Sequence, residues 1–234
     1  MLWLHRLFEL PAIPLLAFTS TIGLLLYIRN RVDRVISQPH PDIEPLPISG
    51  GEAAHQMLLS SGVVGICVEV CQAGIVNSYD PGIRVIHLAN SGVHGHRLAD
   101  LARAAHEVGH ALQDTDGVFY PLVAARQMLT IMTRLLLPTS VLVIGAGFAF
   151  DIESVLELGF WILPAGAGLI ALGSLILERD ANFRARRAIC MLGCLDASYM
   201  KPLETMLEAM AWSELTACLP RKVEGISGYF RSSK

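Results

Sequence analysis

Three long apolar runs stand out from an otherwise mixed pattern of hydrophobic and polar positions. They are AIPLLAFTSTIGLLLYI at 12–28, LLLPTSVLVIGAGFAF at 135–150 and LGFWILPAGAGLIALGSLIL at 158–177. As a helix the first spans ~26 Å at ~1.5 Å per residue, close to the thickness of a hydrocarbon core. The third is twenty residues long, carries no charged side chain, and holds glycines at 159, 166, 168 and 173. Small residues of this kind let membrane helices approach closely. All three runs are predicted to be transmembrane helices, in preference to a buried hairpin of a soluble domain.

Between the runs the period changes. Residues 37–50, SQPHPDIEPLPISG, contain four prolines and no helical repeat, and read as a linker. GEAAHQMLL at 51–59 reads as a short helix. After VVGICVEV and the turn SYDPG, the run IRVIHLA at 83–89 is β-branched with turn signals on both sides, and predicts a strand. From Leu98 the apolar positions step by three and four through Leu101, Ala105, Val108 and Leu112. That is one stripe of a helix, with Ala99, Arg103, His106, His110 and Gln113 on another face, ending near Gly117.

Charge flanking the apolar runs sets a topology. Arg29, Arg31 and Arg34 follow the first, Arg126 and Arg134 precede the second, and Glu178 and Arg179 follow the third. The DIESVLE link between the last two holds three carboxylates and no Lys or Arg. By the positive-inside rule, residues 29–134 and 178–234 are cytoplasmic, with the N-terminus and 151–157 outside. The first run reads as a retained anchor instead of a signal peptide, because Arg6 and Glu9 nearly cancel and no small-residue cleavage pattern follows. The chain therefore divides into an anchor (1–34), a linker (35–50), a first half of a cytoplasmic domain (51–134), a membrane hairpin (135–177) and the second half of that domain (178–234).

Composition agrees with this layout: 53% hydrophobic residues, 17% charged and a mean hydropathy of +0.48. A formal net charge of −3 offers no basic field for nucleic acid, leaving the lipid bilayer and proteins or peptides as partners. Cys67, Cys71, Cys190, Cys194 and Cys218 are an odd number for a disulfide framework, and read as reduced packing residues.

The helix carries His106-Glu107-x-x-His110. Residues four apart share a helix face, so both imidazoles can reach one ion, and zinc accepts neutral histidine nitrogens at ~2.0–2.1 Å. Glu107, one step round, is placed to take a proton from a water that the metal acidifies towards a pKa of ~7. Gly109 costs roughly 1 kcal/mol against alanine in a helix interior, which suggests close approach by another backbone.

A catalytic zinc site needs a third protein ligand. Gln113 and Asp116 occupy the positions where a nearby glycine and histidine would be needed, so this ligand is distant. The acidic candidates are Glu153, Glu157, Glu178, Asp180, Glu204, Glu208, Glu214 and Glu224. Topology places Glu153 and Glu157 on the far side of the membrane and returns Glu178 to the side of the histidines. Glu178 is favoured, with Glu204 and Glu208 in reserve. It would open a cytoplasmic helix, ERDANFRARRAICML, on which Asn182 shares its face and could orient a ligand.

SGGEAA (49–54), YDPGIRVIHLANSGVHGHRLADLARAAHEVGHALQ (79–113), LERDANFRARRA (177–188) and, more weakly, AMAWSELTACL (209–219) resemble the YugP-like neutral zinc metallopeptidases. These are membrane proteins distantly similar to HtpX-type proteases. The resemblance implies one Zn²⁺ per chain and peptidase activity in a bacterial cell membrane. The family pattern E-[FL]-[DN]-A-S-R-R-A falls on Glu178, Asp180, Ala181, Asn182 and Arg184, and implies Glu178 as third ligand. Arg179 replaces an apolar residue and Phe183 the first arginine, which leaves that arginine's role without a counterpart. Arg184 matches the second arginine and is a candidate for substrate or ligand support.

The expected fold is mainly α, a membrane-integrated α+β protein. Three transmembrane helices would carry a zincin-like cytoplasmic domain built from a small sheet and the H-E-x-x-H helix. His94, His96 and Tyr79 are secondary candidates for substrate or oxyanion contact, read more simply as surface and strand-edge residues. The strand at 83–89 could pair an extended substrate along its edge. Asp114 and Asp116 read as a polar helix end and not as a calcium loop. A scaffold retaining the fold without proteolysis, and a closed structural zinc site, are the competing readings.

Overall fold

The computed structural model describes residues 11–40, 45–71, 77–116, 120–193 and 195–220. Gly117, Cys194 and Glu224 lie outside these residues. The described chain is mainly helical. In order come α1 (Ala12–Ser37), α2 (Gly50–Ser60), β1 (Cys67–Val70), β2 (Ser78–Asp80), β3 (Val85–Leu88), α3 (Asn90–His94), α4 (Leu98–Thr115), α5 (Tyr120–Phe150), α6 (Glu153–Leu192), α7 (Ala197–Ser213) and a 3₁₀ turn (Glu214–Cys218).

The strands form one sheet in the order β1-β3-β2, with β1 parallel and β2 antiparallel to β3. The strand expected at 83–89 is therefore the middle strand. Both its edges are taken, which removes it as an edge for substrate pairing. It is also shorter, because the Asp80 carboxylate accepts from the Gly82 N–H and Arg84 is left-handed at φ 55°, so the extended run begins at Val85. Val85, Ile86 and Leu88 are all buried, as a central strand requires.

α4 holds the centre. The sequence predicts one apolar stripe, yet fourteen of its eighteen residues are buried, so the helix is enclosed on nearly every side. α2, α6 and α7 pack around it, with Met57, Leu98, Leu101, Ile189, Leu203 and Met206 in a common core. α2 enters this core through a capping box, Ser49 with Glu52, that satisfies two otherwise orphaned N–H groups. A Cβ on Gly109 would fall 2.2 Å from the Ala181 carbonyl oxygen. The close backbone approach that Gly109 implied is that of α6.

α1, α5 and α6 are the three described helices long and apolar enough to cross a membrane. α6 runs unbroken for 40 residues, through Pro164, to a left-handed C-cap at Gly193. Glu178 thus lies within a helix and does not open a new one. The polarity of the chain changes at 178, but LERDANFRARRAICML contains no glycine or proline, so nothing interrupts the backbone. At ~1.5 Å per residue α6 is about 60 Å long, roughly twice a hydrocarbon core, and must project beyond it.

The hairpin of α5 and α6 is tight where glycines meet backbone. A Cβ on Gly147 would lie 2.6 Å from Leu156 N, and one on Gly159 2.7 Å from Ile144 N. Ser140 Oγ donates to the Gly159 carbonyl. Gly168 has open space around it, so the packing role expected for all four glycines does not extend to it.

Gly109→Ala is expected to lower stability by ~1–3 kcal/mol, because the added methyl must push α4 and α6 apart. Gly168→Ala should leave the thermal unfolding midpoint at or slightly above that of the unmodified protein. Unfolding both variants in detergent measures the difference.

Candidate metal centre

Burying α4 against α6 brings three electron-rich atoms together. His106 Nε2 and His110 Nε2 lie 3.3 and 3.4 Å from Glu178 Oε2, and 3.3 Å from each other. Among the described residues these three form the one group of His, Cys, Asp or Glu able to hold a metal ion. All three are buried, Glu178 and His110 to 1% exposure.

The protonation of the rings follows from their other nitrogens. His106 Nδ1 is 2.9 Å from Asn182 Oδ1, and His110 Nδ1 is 2.9 Å from Gln113 Oε1. Each amide is oriented by its own nitrogen: Asn182 Nδ2 donates to the Leu207 carbonyl at 2.7 Å, and Gln113 Nε2 donates to the Leu177 carbonyl at 2.7 Å. An amide oxygen can only accept, so the hydrogen-bond network assigns an N–H to each Nδ1, which in a neutral ring leaves the lone pair on Nε2. In that state two lone pairs and a carboxylate oxygen face one another in a buried site, and a cation would draw them together. A tetrahedral ion with bonds of ~2.0–2.1 Å separates its ligand atoms by about 3.3–3.4 Å, and the observed triangle has those edges. The residues present fit zinc.

Glu107 is also buried, and its Oε2 has no hydrogen-bond partner among the described residues. A carboxylate oxygen left this way inside a fold costs free energy, and functional sites are where such groups are retained.

Other candidates lie elsewhere. Glu204 pairs with Arg186 at 2.9 Å, Glu208 lines a groove between α1 and α7, and Glu153 and Glu157 lie at the start of α6. Asp180 bonds Arg184 and Gln113, so it supports the site without joining the triangle. The Tyr79 hydroxyl donates to Asp114 at 2.7 Å, and burial, followed by that hydrogen bond, holds its pKa well above the usual phenol value. This commits the hydroxyl to packing and makes Asp114 the polar helix end anticipated for it. His96 Nδ1 sits 2.9 Å from the Leu46 carbonyl, pinning the linker to the domain, and His94 ends α3. Arg184 joins Asp180 and Asp116. Cys67 and Cys190 are exposed free thiols, so neither is the packing residue expected of it, whereas the free thiol of Cys218 is buried. Gln113 shares the histidine face in the sequence without a role assigned to it there, although an amide three residues past His110 is one helical turn from its ring.

The family model described as "Putative neutral zinc metallopeptidase" matches residues 15–221. The chain is 26% identical over 171 residues, 73% of its length, to "Putative membrane protease YugP" of Bacillus subtilis (strain 168), of which the alignment covers 75%. No solved structure matches the chain significantly. The match runs from within α1 to just beyond the 3₁₀ turn, embracing both helices of the metal triangle, and the chain belongs to this neutral zinc metallopeptidase family.

Proposed function

We propose that the chain is a membrane-bound zinc-dependent endopeptidase whose site faces the cytoplasm. The observation that carries this reading is the triangle of His106, His110 and Glu178, with a Glu107 carboxylate oxygen that has no hydrogen-bond partner among the described residues, on the same helix as the two histidines. In this reading the three residues hold one zinc per chain, and Asn182 fixes the ring of His106. Zinc, when bound in an open site, lowers the pKa of a water towards ~7 and polarises a peptide carbonyl. Glu107 would serve as general base, accepting a proton from the attacking water and returning it to the departing amine. Burial strengthens both tasks, because charge develops where bulk water cannot screen it. Arg184 serves the carboxylates of Asp180 and Asp116 in preference to substrate.

The site domain is zincin-like in this reading: the small sheet and the H-E-x-x-H helix form its first half, and the outer part of α6 with α7 its second. Residues 1–34 anchor it, 35–50 link it, and 135–177 form a membrane hairpin between the halves 51–134 and 178–234. Arginines at both cytoplasmic flanks, against the acidic DIESVLE link, support a multi-pass orientation in a bacterial cell membrane with 29–134 and 178–234 inside. Substrates are proteins or peptides.

Two competing readings are less well supported. A scaffold without proteolysis has no use for the unpartnered Glu107 oxygen, which costs stability. A structural zinc site would be closed by a fourth protein ligand, and the described group has three members.

Glu107→Gln is expected to lower casein hydrolysis by the purified protein by ~10²–10⁴-fold while zinc stays at one per chain. Equal cleavage by both proteins rules out the proposed mechanism. Glu178→Gln should lose stoichiometric zinc, measured by elemental analysis after dialysis, and retention of both metal and activity would place the third ligand elsewhere. Reporter fusions after residues 120 and 154 should report opposite sides of the membrane. The same side for both would remove the hairpin topology.

A further inference from the structure

The two histidines are backed by unlike chains of hydrogen bonds. Behind His106, Asn182 ends on a backbone carbonyl, that of Leu207. Behind His110, Gln113 divides its amide nitrogen between the Leu177 carbonyl at 2.7 Å and Asp180 Oδ2 at 2.9 Å. The same Asp180 oxygen accepts from Arg184 Nε at 2.7 Å, and Arg184 Nη1 reaches Asp116 Oδ2 at 2.7 Å. Gln113 is 1% exposed, whereas the Asp116 side chain is 53% exposed. A continuous charged chain therefore runs from the surface of the protein to His110, whereas His106 is backed by one neutral amide that itself lines a partly exposed groove.

Gln113 has a further distinction. Both of its acceptors belong to α6, and they flank Glu178 in sequence, at 177 and 180. One side chain thus ties the ring of His110 on α4 to the stretch of α6 that carries the third donor atom. Asp180 pairs with Arg184, and a carboxylate accepting from the amide N–H draws electron density towards Oε1. Hydrogen bonds in such chains strengthen one another in a low-dielectric interior. Oε1 is then a better acceptor for the His110 Nδ1–H, which makes Nε2 a stronger donor to a metal.

We propose that Gln113, braced by Asp180 and Arg184, is a positioning residue. It holds His110 in the tautomer and orientation that present Nε2 to the metal. The inference rests on the reading of His106, His110 and Glu178 as zinc ligands. It adds that the grip of His110 depends on a charged network reaching the surface. Asp180 and Arg184 act through Gln113 and touch neither metal nor substrate.

The test uses the zinc-loaded full-length protein in detergent. Zinc release to a chromogenic chelator is followed alongside the visible absorption of the Co²⁺-substituted form. Gln113→Leu is expected to release zinc ~10–100-fold faster and to alter the Co²⁺ bands. Asp180→Ala should shift release in the same direction. Asp180→Asn, which keeps an oxygen for the Gln113 amide but no charge, should fall between it and the unmodified protein. Arg186→Gln, on the same helix but paired with Glu204 at the surface, should leave release unchanged. A purely structural role would lower the unfolding midpoint of the metal-free protein and leave release and spectrum untouched, and that result would overturn the proposal. If Gln113→Leu does not fold, Asp180→Ala and Arg184→Gln carry the test from the outer end of the chain. Release at the unmodified rate in both overturns it. An unmodified protein that binds no zinc would instead remove the ligand assignment, and this inference with it.

Discussion

The site depends on one backbone contact. Gly109 and the Ala181 carbonyl meet so closely that no side-chain atom fits between α4 and α6. Gly109 immediately precedes His110, and Ala181 immediately precedes Asn182, so the contact lies in the middle of the donor set. Helices separated by ordinary side chains run 8–10 Å apart. Here the missing Cβ lets three donor atoms from two helices converge to 3.3–3.4 Å. The surrounding alanines of α4, at 99, 102, 104, 105 and 111, let α2, α6 and α7 close around it. A small-residue helix at the centre of the domain is therefore a condition of the metal geometry and not a weakness of the core.

The length of α6 connects this centre to an apolar segment long enough to cross a bilayer. Glu178 lies about 38 Å along the helix from its start, further than the ~30 Å of a hydrocarbon core. A continuous helix transmits position rigidly, because each residue is fixed by bonds to its neighbours on the next turn. The donor oxygen of Glu178 is thus held at a set height relative to the apolar segment, without a hinge between span and site. Separate helices joined at residue 178 would have left that height to the loop between them.

What the sequence made legible was chemistry with a fixed spacing. H-E-x-x-H, the three apolar runs and the anomalous Gly109 each encode their meaning within a few residues. Glu178 could be singled out because it closes the third apolar run, and α6 carries it beside the histidines. The misreadings share a different cause. A new helix is expected at Glu178 because hydropathy changes there, but helix formation follows backbone propensity, which does not change. β3 was taken for an edge strand because strand order is set by partners from β1 and β2, which no local pattern reveals. α4 looked amphipathic because Ala, Gly and buried polar residues dilute the pattern, while burial on all sides comes from the helices that surround it. Gln113 was passed over because an amide has many uses, and only Asp180 and the Leu177 carbonyl across the interface define this one.

The polar groups of the centre explain why so much of the interior is given over to them. Two ring nitrogens and two carboxylates are withdrawn from water here, and an unsatisfied buried polar group costs about 1–3 kcal/mol, more when charged. Apolar packing around Met57, Leu101, Ile189 and Leu203 offsets this, but it also prevents relaxation, since the rings are tethered at Nδ1 and cannot turn away. An ion that binds this arrangement and not the unfolded chain stabilises the fold, so metal binding and fold stability are linked through the same few atoms.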